Sequence, residues 1–142
     1  MEINKVHDGD TIEVSRKGRE VDVRFYGIDC PEKDQPYGMT AKKYVSRMIQ
    51  DRDVEVEPSG EDQYGRVIGL VYVDGKLLNE ALIMNGFAWV YDRYCNKRIC
   101  DKWKRLEKKA REANGYANNF VNRKSEKSGS PLRQESTGGY NL

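Results

Sequence analysis

Apolar residues recur at or near every second position in the first third of the chain: Val6, Ile12 and Val14, then Val21, Val23 and Phe25. Such alternation predicts half-buried strands, and Arg16-Lys17-Gly18-Arg19 between the two runs predicts a hairpin turn. Beyond Pro31 and Pro36 the spacing changes to three and four. Tyr37, Ala41, Tyr44, Val45, Met48 and Ile49 then share one face, so a helix is predicted over about residues 37–50. Val54 and Val56 predict a short strand, and Val67–Val73 a longer one ending at the tight-turn pair Asp74-Gly75. Asn79 is placed to cap a short helix over residues 80–85, with Gly86 supplying the left-handed stop. Residues 87–91 mix aromatic and β-branched types and predict another strand. A last helix is predicted from near Asp101, burying Trp103, Leu106, Ala110 and Ala113 and stopping at Gly115. From Arg123 onward Ser, Gly and charged residues leave almost nothing to bury, so a disordered tail is expected. About five short strands with two or three helices fit a small closed barrel with helices around it, an α+β fold that is mainly β.

At 142 residues and 16.4 kDa the chain has room for one domain, expected over residues 1–122 with the polar tail at 123–142. No run approaches the ~18 consecutive apolar residues of a membrane-spanning helix, which excludes that class and a membrane partner. The net charge of +2 conceals a strong asymmetry. Residues 1–92 hold 12 Lys or Arg against 18 Asp or Glu, residues 93–122 hold 9 against 3, and the tail holds 4 against 2. The body therefore repels polyanions in bulk, whereas the basic segment after residue 92 attracts them.

Two segments carry the chemistry. Asp8-Gly9-Asp10-Thr11 alone is a good turn. In Arg24-Phe25-Tyr26-Gly27-Ile28-Asp29-Cys30-Pro31-Glu32, a strand delivers Arg24 and its end delivers Asp29 and Glu32. The strand period places charged Arg24 where core residues otherwise point. If the two segments converge, Asp8, Asp10, Asp29 and Glu32 meet. Each like-charge pair about 4 Å apart would cost up to ~4 kcal/mol at an effective dielectric of 20, so a cation is required. An all-oxygen set with no suitably placed His selects a hard ion, Ca²⁺ or Mg²⁺, over zinc. Gln63-Tyr64-Gly65-Arg66 opens the next strand with a second Arg. Two Arg near a metal can hold a phosphodiester and match the charge that builds on it.

These residues resemble the staphylococcal nuclease-like, or thermonuclease, family across roughly residues 3–92. The resemblance rests on Asp8-Gly9-Asp10-Thr11, on Arg24 through Glu32 with its Gly-Ile-Asp-x-Pro-Glu ending, on Asp62-Gln63-Tyr64-Gly65-Arg66, and on Val73-Asp74-Gly75-Lys76 followed by Asn79-Glu80-Ala81-Leu82. It implies a five-stranded barrel of the oligonucleotide-binding type with about three packed helices. It also implies Ca²⁺-dependent, sugar-nonspecific hydrolysis of DNA and RNA, preferably single-stranded, to 3′-phosphate products by a monomer, with Mg²⁺ the second choice of ion. By position, Asp10, Asp29 and the backbone carbonyl of Cys30 resemble metal ligands, and Asp8 an outer-shell residue. Arg24 and Arg66 resemble phosphate clamps, and Glu32 the general base or water-orienting carboxylate. Tyr64 and Tyr91 resemble nucleotide contacts. The alternative is a domain of the same fold that only binds nucleic acid or protein; the presence of Asp10, Arg24, Asp29, Glu32 and Arg66 together favours the enzyme.

The chain departs from the family's best-known pattern at Cys30, which stands where Thr is usual, and at Gln63, which replaces a basic residue. The stretch after Glu32 is also shorter. Cys95 and Cys100 lack the partners for a zinc site, because His7 is the sole His. Their spacing allows two free thiols or a disulfide, and the resemblance to extracytoplasmic bacterial relatives points to the disulfide. That implies an oxidising, extracytoplasmic location with the leader absent from this sequence, a cytoplasmic one being the alternative. His7 is expected to be an ordinary surface or supporting residue, and Trp89 and Trp103 to be core.

Overall fold

The computed structural model describes residues 2–113. The alternating segments form an antiparallel meander of β1 (Glu2–Asp8), β2 (Thr11–Arg16) and β3 (Arg19–Phe25). The two-residue turn between β2 and β3 holds Lys17 at φ 52° and Gly18 at φ 77°, the double left-handed geometry that matches strand twist. After β3 the chain turns at Gly27 (φ 71°) into the two-residue β4 (Ile28–Asp29). Helix α1 (Gly38–Ile49) follows and packs its Ala41, Val45 and Ile49 face inward, as the spacing predicts. Next come β5 (Val54–Glu61), β6 (Val67–Val73), β7 (Lys76–Leu77), α2 (Leu78–Met84), β8 (Trp89–Val90) and α3 (Ile99–Ala113).

The main sheet has the order β1-β2-β3-β6-β5, with β7 folded back onto β6, and β4 pairs with β8 in a separate two-stranded ladder. β6 runs parallel to β3, which sets Arg24 beside Ile68. The α+β class and oligonucleotide-binding-like architecture match expectation. Closure does not: among the described residues no ladder joins β1 to β5, so the five long strands curl around the core as an open sheet. That core joins Ile12, Val23, Phe25 and Ile68 of the sheet to Val45 of α1, Leu82 of α2 and Trp103 of α3.

Several local expectations change. β5 runs through Pro58, with a register shift between Pro58 and Gly60, because an edge strand tolerates a missing N–H donor. The predicted strand over residues 87–91 shrinks to Trp89–Val90. Helix α3 starts two residues before Asp101; it buries Trp103, Glu107 and Ala110, leaves Leu106 half-buried and exposes Ala113. Its stop at Gly115, the domain boundary at 122 and the tail lie outside the described residues.

Asn79 is not a helix cap. Its side chain is fully buried, its Oδ1 accepts from the Val71 N–H (2.9 Å), and its Nδ2 donates to the carbonyls of Tyr26 (3.1 Å) and Gly69 (3.3 Å). It thus joins α2 to β6 and to the point where the chain leaves β3. Replacing it by Ala strands buried backbone groups, each costing about 1–3 kcal/mol. Asn79→Ala should therefore lower the unfolding free energy by roughly 3 kcal/mol, read from urea unfolding curves; a change within 0.5 kcal/mol, about the effect of a neutral surface substitution, would refute the cross-link.

Candidate active site

The β2–β3 register sets Thr11 opposite Arg24. Arg24 is completely buried, as is Asp10, while Asp29 is 3% exposed. A guanidinium so placed requires acceptors at nearly every edge. Nη1 donates to the main-chain carbonyls of Phe25 (3.0 Å) and Ile28 (2.9 Å), on either side of the Gly27 turn. Nη2 donates to Asp29 Oδ1 at 3.2 Å and stands 3.7 Å from Asp10 Oδ2. Asp10 is fixed in turn by the Thr11 hydroxyl on Oδ1 (3.0 Å) and by the Cys30 N–H on Oδ2 (2.9 Å). The two acidic motifs therefore converge, with the Cys30 peptide beside them.

Arg66 belongs to a second network on the same sheet face. It directly precedes β6 and continues the alternation that puts Ile68 beside Arg24. Its Nε donates to Asp62 Oδ2 at 2.6 Å, while Asp62 Oδ1 accepts the N–H groups of Tyr64 and Arg66, each at 2.9 Å. Asp62 is 4% exposed, so this carboxylate shapes the β5–β6 loop and sets the arginine's direction. Tyr64 projects at 54% exposure with the Arg66 guanidinium 5.4 Å from its ring. Sequence reasoning assigns Asp62 no role of its own, although its place at the start of an Asp-x-Tyr-Gly-Arg turn is a signal that marks it as an anchor.

Glu32 is half-buried on the loop between β4 and α1. Its main chain is held at both ends: its N–H donates to Gln35 Oε1 (2.7 Å) and its carbonyl accepts from the Gln35 N–H (2.8 Å). Gly38 fits against that carbonyl so closely that a Cβ there would lie 1.6 Å from it, which explains a glycine at the first position of α1. Asp8 Oδ1 accepts from the Lys33 N–H (3.0 Å), tying the acidic turn to the same loop. Tyr91 is half-buried, its N–H donating to the Gly27 carbonyl (2.8 Å) and its ring edge-on to Tyr94 at 5.1 Å. Cys95 and Cys100 form a disulfide and Cys30 is a buried free thiol.

Sequence reasoning missed two further supports. The Tyr26 hydroxyl accepts from the Asn96 (2.8 Å) and Lys97 (3.0 Å) N–H groups, clamping the disulfide loop to the chain just before Gly27. Buried Glu107 accepts the Val90 N–H at 2.6 Å, fastening α3 to the strand that pairs with Asp29. Neither Tyr26 nor Glu107 has a sequence pattern that distinguishes it from a core aromatic or a solvated helix charge.

The donors at this site suit a hard divalent cation. Two buried carboxylates stand against one guanidinium, and the side-chain donors that they offer are all oxygen. Asp10, Asp29 and the Cys30 carbonyl are the groups that would hold it.

Residues 22–119 match the family model described as staphylococcal nuclease homologue. The chain is 40% identical over 91 residues to an uncharacterized endonuclease of Escherichia coli, covering 63% of this chain and 60% of that protein. It is 36% identical over 90 residues to a probable staphylococcal-like nuclease of Oryza sativa subsp. japonica, covering 63% and 27%. With protein ParB of Escherichia coli it shares 35% identity over 119 residues, covering 78% and 67%. The chain thus spans about 60% of the length of the first of these relatives. The chain belongs to the staphylococcal nuclease family, and its relatives' names support a nuclease function in general terms.

Removing one partner of a buried ion pair leaves a charge uncompensated. Arg24→Met should cost about 3–5 kcal/mol of stability, and clearly less in an Asp10→Asn, Asp29→Asn background. Equal losses in the two backgrounds, measured by urea unfolding without divalent ions, would show that the carboxylates do not hold the guanidinium.

Proposed function

We propose that this staphylococcal nuclease family member is a Ca²⁺-dependent, sugar-nonspecific nuclease that hydrolyses DNA and RNA phosphodiesters, preferably in single strands, and leaves 3′-phosphate ends. The observation that carries the reading is the convergence of Asp10, Arg24 and Asp29 in one buried network, on the face that also presents Arg66 anchored by Asp62. Ca²⁺, held by Asp10, Asp29 and the Cys30 carbonyl, would supply charge neutralisation and orientation at the phosphate.

The chain's own residues divide the remaining work. Arg24 is anchored through Nη1 to two main-chain carbonyls and through Nη2 to the carboxylates, so its guanidinium is held where a phosphate oxygen beside the metal would meet it. Arg66 keeps its Nε on Asp62 and offers its terminal nitrogens to the same phosphate. Both interactions strengthen as negative charge accumulates during attack, so they act more on turnover than on binding. Glu32 takes or orients the proton of the attacking water as the water oxygen bonds to phosphorus, and the bond to the 5′ oxygen breaks with that oxygen taking a proton from solvent water. Tyr64 and Tyr91 supply surfaces for bases. We further propose a monomer working in an oxidising, extracytoplasmic compartment, a reading supported by the Cys95–Cys100 disulfide. No described helix is long and apolar enough to cross a membrane.

The test is release of acid-soluble nucleotide from single-stranded DNA and RNA with Ca²⁺, with Mg²⁺ and with chelator, and analysis of the product ends. Release should require Ca²⁺, and Glu32→Gln should lower turnover about 10²–10⁴-fold with little change in KM. Full activity in that variant would remove Glu32 from the reaction. No release in any metal, with DNA still bound, would replace the enzyme by a binding domain of the same fold.

A further inference from the structure

Two residues along the same β2–β3 pair from Thr11 and Arg24, the same sheet face carries a different donor set. Glu13 of β2 stands directly opposite Asp22 of β3. On β1 the register shifts between Val6 and Asp8, and His7 is the residue that the shift inserts. The irregularity brings His7 Nε2 to 3.1 Å from Asp22 Oδ1. One ligand atom each from His7, Glu13 and Asp22 lies within 4.8 Å of the others, and all three residues are half-buried.

We propose that His7, Glu13 and Asp22 form a site for a divalent transition-metal ion, with Zn²⁺ as the reference ion, separate from the all-oxygen site at Asp10 and Asp29. Three observations support it. Two carboxylates set directly across a strand pair repel each other, and Lys5, which the β1–β2 register places opposite Glu13 on its other side, is exposed to solvent. Arg66, the basic residue that the β3–β6 register brings nearest to Asp22, is already held by Asp62 at 2.6 Å. Two ligands each about 2.1 Å from one ion, at tetrahedral or octahedral angles, stand roughly 3.0–3.4 Å apart, and the His7–Asp22 separation already has that value.

The donor set decides which ion. One imidazole nitrogen with two carboxylate oxygens favours Zn²⁺, Co²⁺ or Ni²⁺ over Ca²⁺, which takes oxygen donors. Three protein ligands leave positions for water or for an anion. Glu13 and Asp22 line a groove together with Tyr64 and Arg66. A bound ion would thus offset the charge of Glu13 and Asp22 in a groove that also carries Arg16, Lys17 and Arg19, and it would cross-link three adjacent strands. The inference does not depend on the proposed nuclease activity.

The test uses the full chain, freed of metal by chelator and kept in excess Ca²⁺ so that the oxygen site is satisfied. Zn²⁺ is titrated by calorimetry and by thermal melting, and Co²⁺ by visible absorption. Zn²⁺ should raise the melting temperature by about 4 °C or more when well above its dissociation constant. His7→Ala, Glu13→Gln and Asp22→Asn should each weaken binding at least about tenfold, while Asp10→Asn with Asp29→Asn leaves Zn²⁺ affinity within a factor of two or so, the scatter expected of independent sites. Three variants guard against the failure of any one to fold, since each is judged against its own metal-free melting curve. No Zn²⁺ binding, or binding unchanged in all three variants, or binding lost with Asp10→Asn and Asp29→Asn instead, would overturn the proposal.

Discussion

A guanidinium with no exposed surface constrains the rest of this molecule. Taking Arg24 out of water is tolerable only if its donors meet acceptors, and the fold supplies them from two directions. Carboxylates come from the β1–β2 turn and from β4, while carbonyls come from the main chain on both sides of Gly27. The carbonyl contacts exist because the chain turns there. Gly27, at φ 71°, sends the backbone out of the main sheet and into the short ladder with β8, so the carbonyl of Ile28 faces back toward the strand that it left. A side chain at Gly27 would also collide with the Cys95 sulfur, 2.6 Å from where its Cβ would stand. The charge cluster and the disulfide loop thus rest on the same glycine.

The supports around that turn form a connected set rather than a row of separate contacts. Asn79 holds the Tyr26 carbonyl, the Tyr26 hydroxyl holds the disulfide loop, Tyr91 holds the Gly27 carbonyl, and Glu107 holds Val90 opposite Ile28. Helices α2 and α3 therefore bear on the position of Asp29 through buried polar groups, each with few alternative partners. Preorganisation of this kind suits a site that must keep two carboxylates and a guanidinium in register, because side chains on paired strands move less than those on loops. Glu32 and Tyr64, by contrast, sit on loops, the first restrained through its main chain and the second largely exposed.

Much of this was legible in the sequence because it depends on local periodicity. The β2–β3 hairpin, α1 and β6 follow from spacing and turn residues, and Arg24 stands out as a charge at a core position, while its meeting with Asp10 and Asp29 is implied only by the family resemblance. What was not legible depends on contacts distant in the chain. Asn79 reads as a cap because caps are local, whereas its actual partners lie 8, 10 and 53 residues away. Glu107 reads as one more charge on a basic helix until β8 is placed against it. Val54 and Val56 read as a short strand, and the continuation of β5 through Pro58 depends on its lying at the sheet edge. The open gap between β1 and β5 is not read from the sequence, because strand pairing at the two ends of a sheet is a contact between residues far apart in the chain.

His7 shows how one structural detail changes the meaning of a residue. In an unbroken β1–β2 ladder, alternation would set its ring on the face opposite Asp8, away from the acidic residues of β2 and β3. The inserted residue between Val6 and Asp8 removes that constraint and lets the ring approach Asp22. Bulges commonly re-aim side chains at functional positions, and the ring here lands beside two carboxylates on the face that carries Arg24 and Arg66. That face therefore alternates in sign along its length: the acidic pair Glu13 and Asp22 lies next to the cationic Arg24 and Arg66, and the acidic Asp10 and Asp29 lie beyond. A polyanion laid across it meets attraction only where the carboxylates are balanced. Cations, whether arginine side chains or bound metal ions, thus decide where on this acidic body a phosphate can settle.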